Sequence, residues 1–182
     1  MIIGITGPAG AGKDTSADYI ADRFSIFHVS GGDILRDMLT DAGLEPKKAA
    51  LGPFGVFVRH MYGADEIAKR VVKKAEGKSN VLYSGFRSQA EAEAVHARKG
   101  ILLYIDAPST LRHVRIGERA RDGDEIDPKV LDALDAQEST PGAIENENLP
   151  AVKAIADKVI MNDGTLEDLH AKLDEFCRSL LL

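Results

Sequence analysis

Gly7-Pro8-Ala9-Gly10-Ala11-Gly12-Lys13-Asp14-Thr15 lies between an apolar run, Ile2 to Thr6, and a segment with helical periodicity. Glycines in such a turn let backbone N–H groups swing toward a polyphosphate without interference from Cβ atoms. Lys13 adds a mobile positive charge. The helix that follows carries Ala17, Ile20, Ala21 and Phe24 on one face, so its N-terminal dipole and unpaired N–H groups aim at the same anion. The spacing that ends in Gly-Lys is that of a phosphate-cradling loop. In the general motif a hydroxyl directly after the lysine meets magnesium, whereas here that position is Asp14 and the hydroxyl, Thr15, comes one place later. Asp14 is therefore either a water-mediated magnesium contact or a first-turn carboxylate stabilised by the helix dipole.

In an open parallel α/β sheet ligands lie across the carboxyl ends of the strands, and the residues after the other apolar runs are polar. Ser30-Gly31-Gly32-Asp33-Ile34-Leu35-Arg36 offers close backbone approach at glycine and a guanidinium that could fork two donors toward a phosphate. The plainer alternative is Asp33 as an N-cap and Arg36 as a solvated residue. Ser84-Gly85-Phe86-Arg87-Ser88 repeats the arrangement, with Arg87 entering a helix. Arg112, Arg115 and Arg119, spaced three and four apart, would line one helical face beside Arg121. Like charges at that spacing repel in the empty protein and become favourable around a polyphosphate. Arg59 either touches substrate or braces the fold, and Asn162-Asp163-Gly164 either reads a purine edge or simply turns the chain. The five histidines and Cys177 show no metal-ligand or triad spacing.

The elements that must position these groups are legible as five short apolar runs, Ile2–Thr6, Ile26–Ser30, Val81–Ser84, Ile101–Asp106 and Lys158–Asn162. They alternate with helix-like segments, the pattern of an α/β fold with parallel strands and crossover helices. Ser88 with Glu91 and Thr165 with Asp168 have capping-box spacing, while Gly77 and Gly100 follow basic last turns. Leu166, Leu169, Leu173, Phe176 and Leu180 form a core stripe that leaves Cys177 an inert neighbour. Gly43 to Gly55 and Asp122 to Asn148 read as irregular insertions. With 182 residues and 44% hydrophobic content, a single domain, 1–182, is expected. One cysteine, no targeting pattern and no long apolar run predict a cytoplasmic protein without membrane contact. A net charge of −6 argues against a broad nucleic-acid surface and leaves a small anionic ligand compatible.

These motifs resemble those of nucleoside monophosphate kinases, the adenylate kinase-related branch with dephospho-CoA kinase-like features. The loop is similar to the Gly-Lys-Gly-Thr form of adenylate kinases, Gly32 to Arg36 to their Gly-Asp-x-Leu-Arg, and Gly85-Phe86-Arg87 to their Asp-Gly-Phe-Pro-Arg. Arg115-Ile116-Gly117-Glu118-Arg119-Ala120-Arg121 is similar to their lid entrance, and Phe57 to Gly63 to the Arg-x-x-Tyr-Gly of archaeal relatives. Ala156 to Leu169 resembles the closing segment of dephospho-CoA kinases. The resemblance implies a three-layer α/β/α P-loop NTPase fold with strand order 2-3-1-4-5, an acceptor-binding insertion about 31–77 and a short lid about 119–148. It implies ATP and Mg2+ as cofactors and phosphoryl transfer to a small-molecule nucleotide, by a monomer or homodimer. Gly7, Pro8, Ala9, Gly10, Ala11, Gly12, Lys13, Asp14, Thr15, Arg115, Arg119 and Asp163 would hold the donor; Asp33, Arg36, Arg59 and Arg87 the acceptor. Catalytic roles fall to Lys13, Arg87, Arg119 and Asp33 as base, with Asp14 and Ser84 near magnesium through water. Ser84 stands where adenylate kinases and the archaeal adenylate kinase-related proteins, with a Glu-Gly-Ile-Arg-Ser type of sequence, have an acid, which leaves open a nucleotide-binding regulator or slow ATPase. The closing segment also fits a dephospho-CoA kinase, and the Gly-Lys-Asp-Thr loop followed by Ala17-Asp18-Tyr19-Ile20 resembles phage-type deoxynucleotide kinases.

Overall fold

Five parallel strands form one sheet in the computed structural model, which describes residues 1–118 and 147–181. They are β1 (Ile2–Thr6), β2 (Phe27–Ser30), β3 (Val81–Ser84), β4 (Ile101–Asp106) and β5 (Lys158–Met161), ordered β2-β3-β1-β4-β5. Order and strands are those expected, with β2 and β5 each one residue shorter. The described helices are α1 (Lys13–Phe24), α2 (Gly31–Asp41), α3 (Lys48–Tyr62), α4 (Glu66–Lys74), α5 (Gln89–His96), α6 (Ser109–Glu118), α7 (Leu149–Ala154) and α8 (Leu166–Leu181).

Period-two alternation builds a core on each face of the sheet. Ile3, Ile5, Leu82, Leu103, Ile105 and Ile160 pack with α1 and α8 residues such as Ile20, Leu169 and Leu173. Tyr83, Leu102 and Tyr104 pack instead with Ile34, Val58, Val71, Val95 and Val152 from α2 to α5 and α7. The three layers follow directly. Register aligns the strand ends, pairing Ser30 and Ile5 with Ser84, Thr6 with Tyr104, and Asp106 with Met161, so the loops after the strands emerge along one edge of the sheet. No described helix is long and apolar enough to cross a membrane.

Several local expectations change. The stretch Gly43 to Gly55 is not irregular throughout, because α3 begins at Lys48 and runs through Gly52, Pro53 and Gly55. Leu51, Phe54 and Val58 at steps of three and four bury that helix against the core, which outweighs the poor propensity of its glycines and proline. Ser30, not Asp33, caps α2, its Oγ accepting from the Asp33 amide at 2.9 Å. After α5 the left-handed residue is Lys99 at φ 55°, whereas Gly100 is small because an added Cβ would lie 2.5 Å from Val95. Leu166 is 51% exposed and lies outside the stripe; it is the first residue of α8 and precedes the stretch that packs on the sheet. Both capping boxes form, and Cys177 is fully buried.

Candidate functional site

The loop between β1 and α1 is held from behind at four carbonyls. Ala11 N–H donates to Pro8 O (3.2 Å), Arg112 Nη1 to Ala9 O (3.2 Å), Asn162 Nδ2 to Ala11 O (2.8 Å), and Ser16 N and Oγ to Gly12 O (both 2.9 Å). Committing these carbonyls to protein donors is the arrangement that turns intervening amides toward a bound anion. Three glycines are obligatory on steric grounds, Gly10 (φ 76°) because an added Cβ would lie 2.8 Å from Arg112 O. Gly7 (φ 153°) would put a Cβ 2.0 Å from Ile105 O, and Gly12 (φ 93°) would put one 2.5 Å from Asn162 Nδ2. Lys13 opens α1 with its ammonium 3.6 Å from the exposed Asp14 carboxylate, and Thr15 follows, half-buried, in the same first turn.

Arg112 and Arg115 do not form a solvated stripe. Arg112 is buried, its Nε also reaching Ala107 O at 3.3 Å. Arg115 donates to Asn162 O (3.0 Å) and Asn162 Oδ1 (3.4 Å), so the residue expected to bind the donor braces the turn that supports the loop. The third member, Arg119, lies outside the described residues, as does most of the expected lid about 119–148. Asp163, also expected to hold the donor, is exposed and pairs with α8. Its carboxylate is 3.3 Å from Lys172 Nζ, while Asn162, two residues beyond Ile160 and therefore on that residue's face of the sheet, takes the position against Ala11.

On the other side of β1, the Thr6 hydroxyl donates to Phe86 O and Gly85 N donates to Ile5 O at 3.1 Å, which stitches the Arg87 segment to the strand feeding the loop. Glu91 organises that segment. Its Oε2 accepts from Arg87 N (3.1 Å), Ser88 N (3.0 Å) and Ser88 Oγ (2.9 Å), and its Oε1 accepts from Tyr83 OH (3.2 Å). Burial, reinforced by the Glu91 charge, pushes the Tyr83 phenol well above its ordinary range and keeps it a donor. Arg59, at 3% exposure, has Nη1 3.6 Å from Glu91 Oε2 and Nη2 3.7 Å from Glu147 Oε1. Arg87 Nη1 is 3.9 Å from the other Glu147 oxygen, and Asn148 N–H donates to Arg87 O at 2.9 Å. Arg59 and Arg87 therefore converge on one carboxylate.

The expected base and acceptor arginine pair with each other, Arg36 Nη1 lying 2.8 Å from Asp33 Oδ1 at a half-exposed site. Ser84, 2% exposed, has its hydroxyl 2.7 Å from His28 Nε2, and His28 Nδ1 is 3.8 Å from Asp18 Oδ1. Asp106 is engaged by Lys153 Nζ at 2.6 Å. Among the described residues no three His, Cys, Asp or Glu side chains gather as a metal site. Sequence reasoning missed His28 and Glu147 as site residues, and it singled out Arg112 and Asn162 without the bonds to the loop carbonyls that they make. Counting by twos from Ile160 puts Asn162 on the face of the loop; His28 and Glu147 carry no local signal.

Residues 6–132 match the AAA domain family. A UPF0200 protein of Methanothrix thermoacetophila is 33% identical, with 98% of this chain and 99% of the relative covered. One from Aeropyrum pernix is 30% identical over 93% of this chain and 88% of the relative. Among solved structures, TT1252 from Thermus thermophilus superposes with a TM-score of 0.66 at 18% identity, covering 99% of this chain and 97% of that one. Shikimate kinase from Acinetobacter baumannii in complex with shikimate gives 0.60 at 19% identity, covering 100% and 94%. At those identities the likeness is one of fold, that of the P-loop kinases.

Proposed function

Because this chain belongs to the UPF0200 family and has the AAA domain on a P-loop kinase fold, we propose that it transfers the terminal phosphoryl group of ATP to a nucleotide-like acceptor, a nucleoside or deoxynucleoside monophosphate. One observation carries the reading. The Gly7–Thr15 loop has four carbonyls turned into the protein, three positions where no side chain fits, and Lys13 at the mouth of α1. That combination supports a polyphosphate better than any other ligand.

ATP, when bound, supplies the phosphoryl group, and the Mg2+ that accompanies it would meet the exposed Asp14 carboxylate through water, beside Lys13. Arg36, Arg59 and Arg87 would hold the acceptor, and Arg87 with Arg119 would neutralise charge on the transferring group. Asp33 takes the proton where the acceptor presents a hydroxyl and has no such task where it presents a phosphate. Arg115 contributes indirectly, through Asn162. The protein would work in the cytoplasm as a monomer or homodimer.

The test is incubation with ATP, Mg2+ and a panel of AMP, CMP, deoxynucleoside monophosphates and dephospho-CoA, followed by separation of products. A phosphorylated monophosphate supports the proposal; a phosphorylated dephospho-CoA alone redirects it to that kinase. The Ser84 hydroxyl committed to His28, in place of an acid, favours a second reading as a slow ATPase or nucleotide-binding regulator. Phosphate release without any phosphorylated acceptor selects it. If Lys13→Ala leaves MgATP binding by calorimetry unchanged, both readings fail.

A further inference from the structure

A cavity of about 270 Å³ opens between α4 and α5, at the end of the sheet where β1 and β3 begin. Ile2 and Val81, the first residues of those strands, line it, whereas the Gly7–Thr15 loop leaves the opposite end of β1, roughly 17 Å of strand away. No residue assigned to donor or acceptor lines it. The walls are apolar and stiff. Val71, Val81 and Val95 are buried and β-branched, which limits them to few rotamers. The Tyr83 ring is pinned by its hydroxyl on Glu91 (3.2 Å) and packs on Phe86 with 5.2 Å between centroids, so it is not free to turn inward and close the space. Apolar cavities of about 150 Å³ admit benzene, so this one has room for a substituted ring.

Charge is confined to the mouth. The charged residues of the lining are Glu76, Lys78 and Arg98, all exposed, two cations against one acid. Arg98 Nη1 donates to Ala94 O at 2.9 Å, which holds the guanidinium beside the cavity, and Lys78 Nζ lies 5.0 Å from the centroid of the Phe27 ring. Among the described residues neither cation forms an ion pair with a carboxylate. The helix ends do not call for them either, because Glu76 N–H already donates to Lys73 O and Lys99 N–H to His96 O.

We propose that this cavity is a second ligand site, for a small monocarboxylate whose apolar body is the size of one substituted ring. The body lies against Val71, Val95 and Tyr83, and the carboxylate meets Arg98 and Lys78 at the rim. Enclosed apolar walls with a few charged groups to fix orientation are the makeup of a small-molecule site, and walls already held in place cost a ligand little ordering. The inference stands apart from the proposed phosphoryl transfer, since the two sites lie at opposite ends of the strands.

The experiment is calorimetry on the full chain with three probes of one shape: 4-tert-butylbenzoate, 4-tert-butylbenzyl alcohol and 4-tert-butylbenzylamine. The carboxylate should bind most tightly, the alcohol about three- to tenfold more weakly and the amine weakest. Val72→Phe, at a half-buried position of the lining, places a ring in the cavity and should abolish binding of the carboxylate. Arg98→Gln combined with Lys78→Gln should lower the carboxylate to the affinity of the alcohol and leave the alcohol unchanged. Absence of carboxylate binding overturns the proposal, as do equal binding of all three probes, tightest binding of the amine, a carboxylate preference that survives the double variant, or binding that survives Val72→Phe. If Val72→Phe does not fold, Val72→Met, a slimmer filling, must weaken binding in its place. Excess MgATP should not displace the carboxylate; displacement would put the probe at the phosphate loop and equally overturn the assignment.

Discussion

Gly12→Ala tests whether loop shape and the Asn162 brace are one unit. An alanine at φ 93° adopts a backbone conformation costing about 1 kcal/mol, and its Cβ would sit 2.5 Å from Asn162 Nδ2. Asn162 must then move off Ala11 O, leaving a buried acceptor unpaired at a cost of roughly 1–3 kcal/mol. The sum is a destabilisation on the order of 2–4 kcal/mol, read as a lowered urea midpoint at constant m-value. Asn162→Ala alone should cost about the hydrogen-bond part. In the double variant the clash is gone and the bond is lost only once, so its cost should fall short of the sum by roughly 1–3 kcal/mol. MgATP affinity should drop at least about tenfold in each variant that displaces the loop. Strict additivity, or a Gly12→Ala cost under about 0.5 kcal/mol, would refute the coupling.

Other perturbations give separable readouts. Arg36→Ala should raise the acceptor KM with kcat nearly unchanged, because it removes a contact made equally before and during transfer; an equal loss in kcat would contradict that role. Burial opposes ionisation of Asp157, but the Leu102 amide at 2.7 Å and His96 at 2.9 Å outweigh it and hold the carboxyl below its ordinary range. Its contribution is therefore complete above the usual aspartate range and is lost as pH falls through the lower folded-state value, so Asp157→Asn should flatten that part of the acid-unfolding curve. Burial, with a smaller push from the Asp174 charge, raises the Cys177 thiol to about 11. Native protein at pH 8 should resist a thiol reagent that labels it promptly in urea.

Strands and loop were legible because their signals are local. Apolar runs such as Ile101–Asp106 are buried on both faces of the sheet and read without knowledge of their neighbours, and the glycine spacing before Lys13 is a steric requirement written in nine consecutive residues. The helix α3 was not legible, since Gly52, Pro53 and Gly55 argue against it locally and only packing of Phe54 and Val58 sustains it. Within the site, the role of an arginine depends on what folds beside it. Arg36 finds Asp33 three residues away, a spacing open to inspection, whereas Arg59 meets Glu91 and Glu147 only once α5 and the residues entering α7 are brought beside α3. Arg115 illustrates the limit, because a guanidinium in a stripe looks the same whether it awaits an anion or grips the chain's own carbonyl.

The position of β1 in the middle of the sheet has a bearing on how the chain reaches this state. Ile2–Thr6 pairs with Val81–Ser84 on one side and Ile101–Asp106 on the other, so the strand that launches the phosphate loop has no neighbour until segments some eighty and a hundred residues downstream arrive. Such distant pairings are slow to form, and an apolar strand waiting for them exposes both edges. Nucleotide affinity should accordingly be among the last properties regained on refolding from denaturant, after the helical signal has returned.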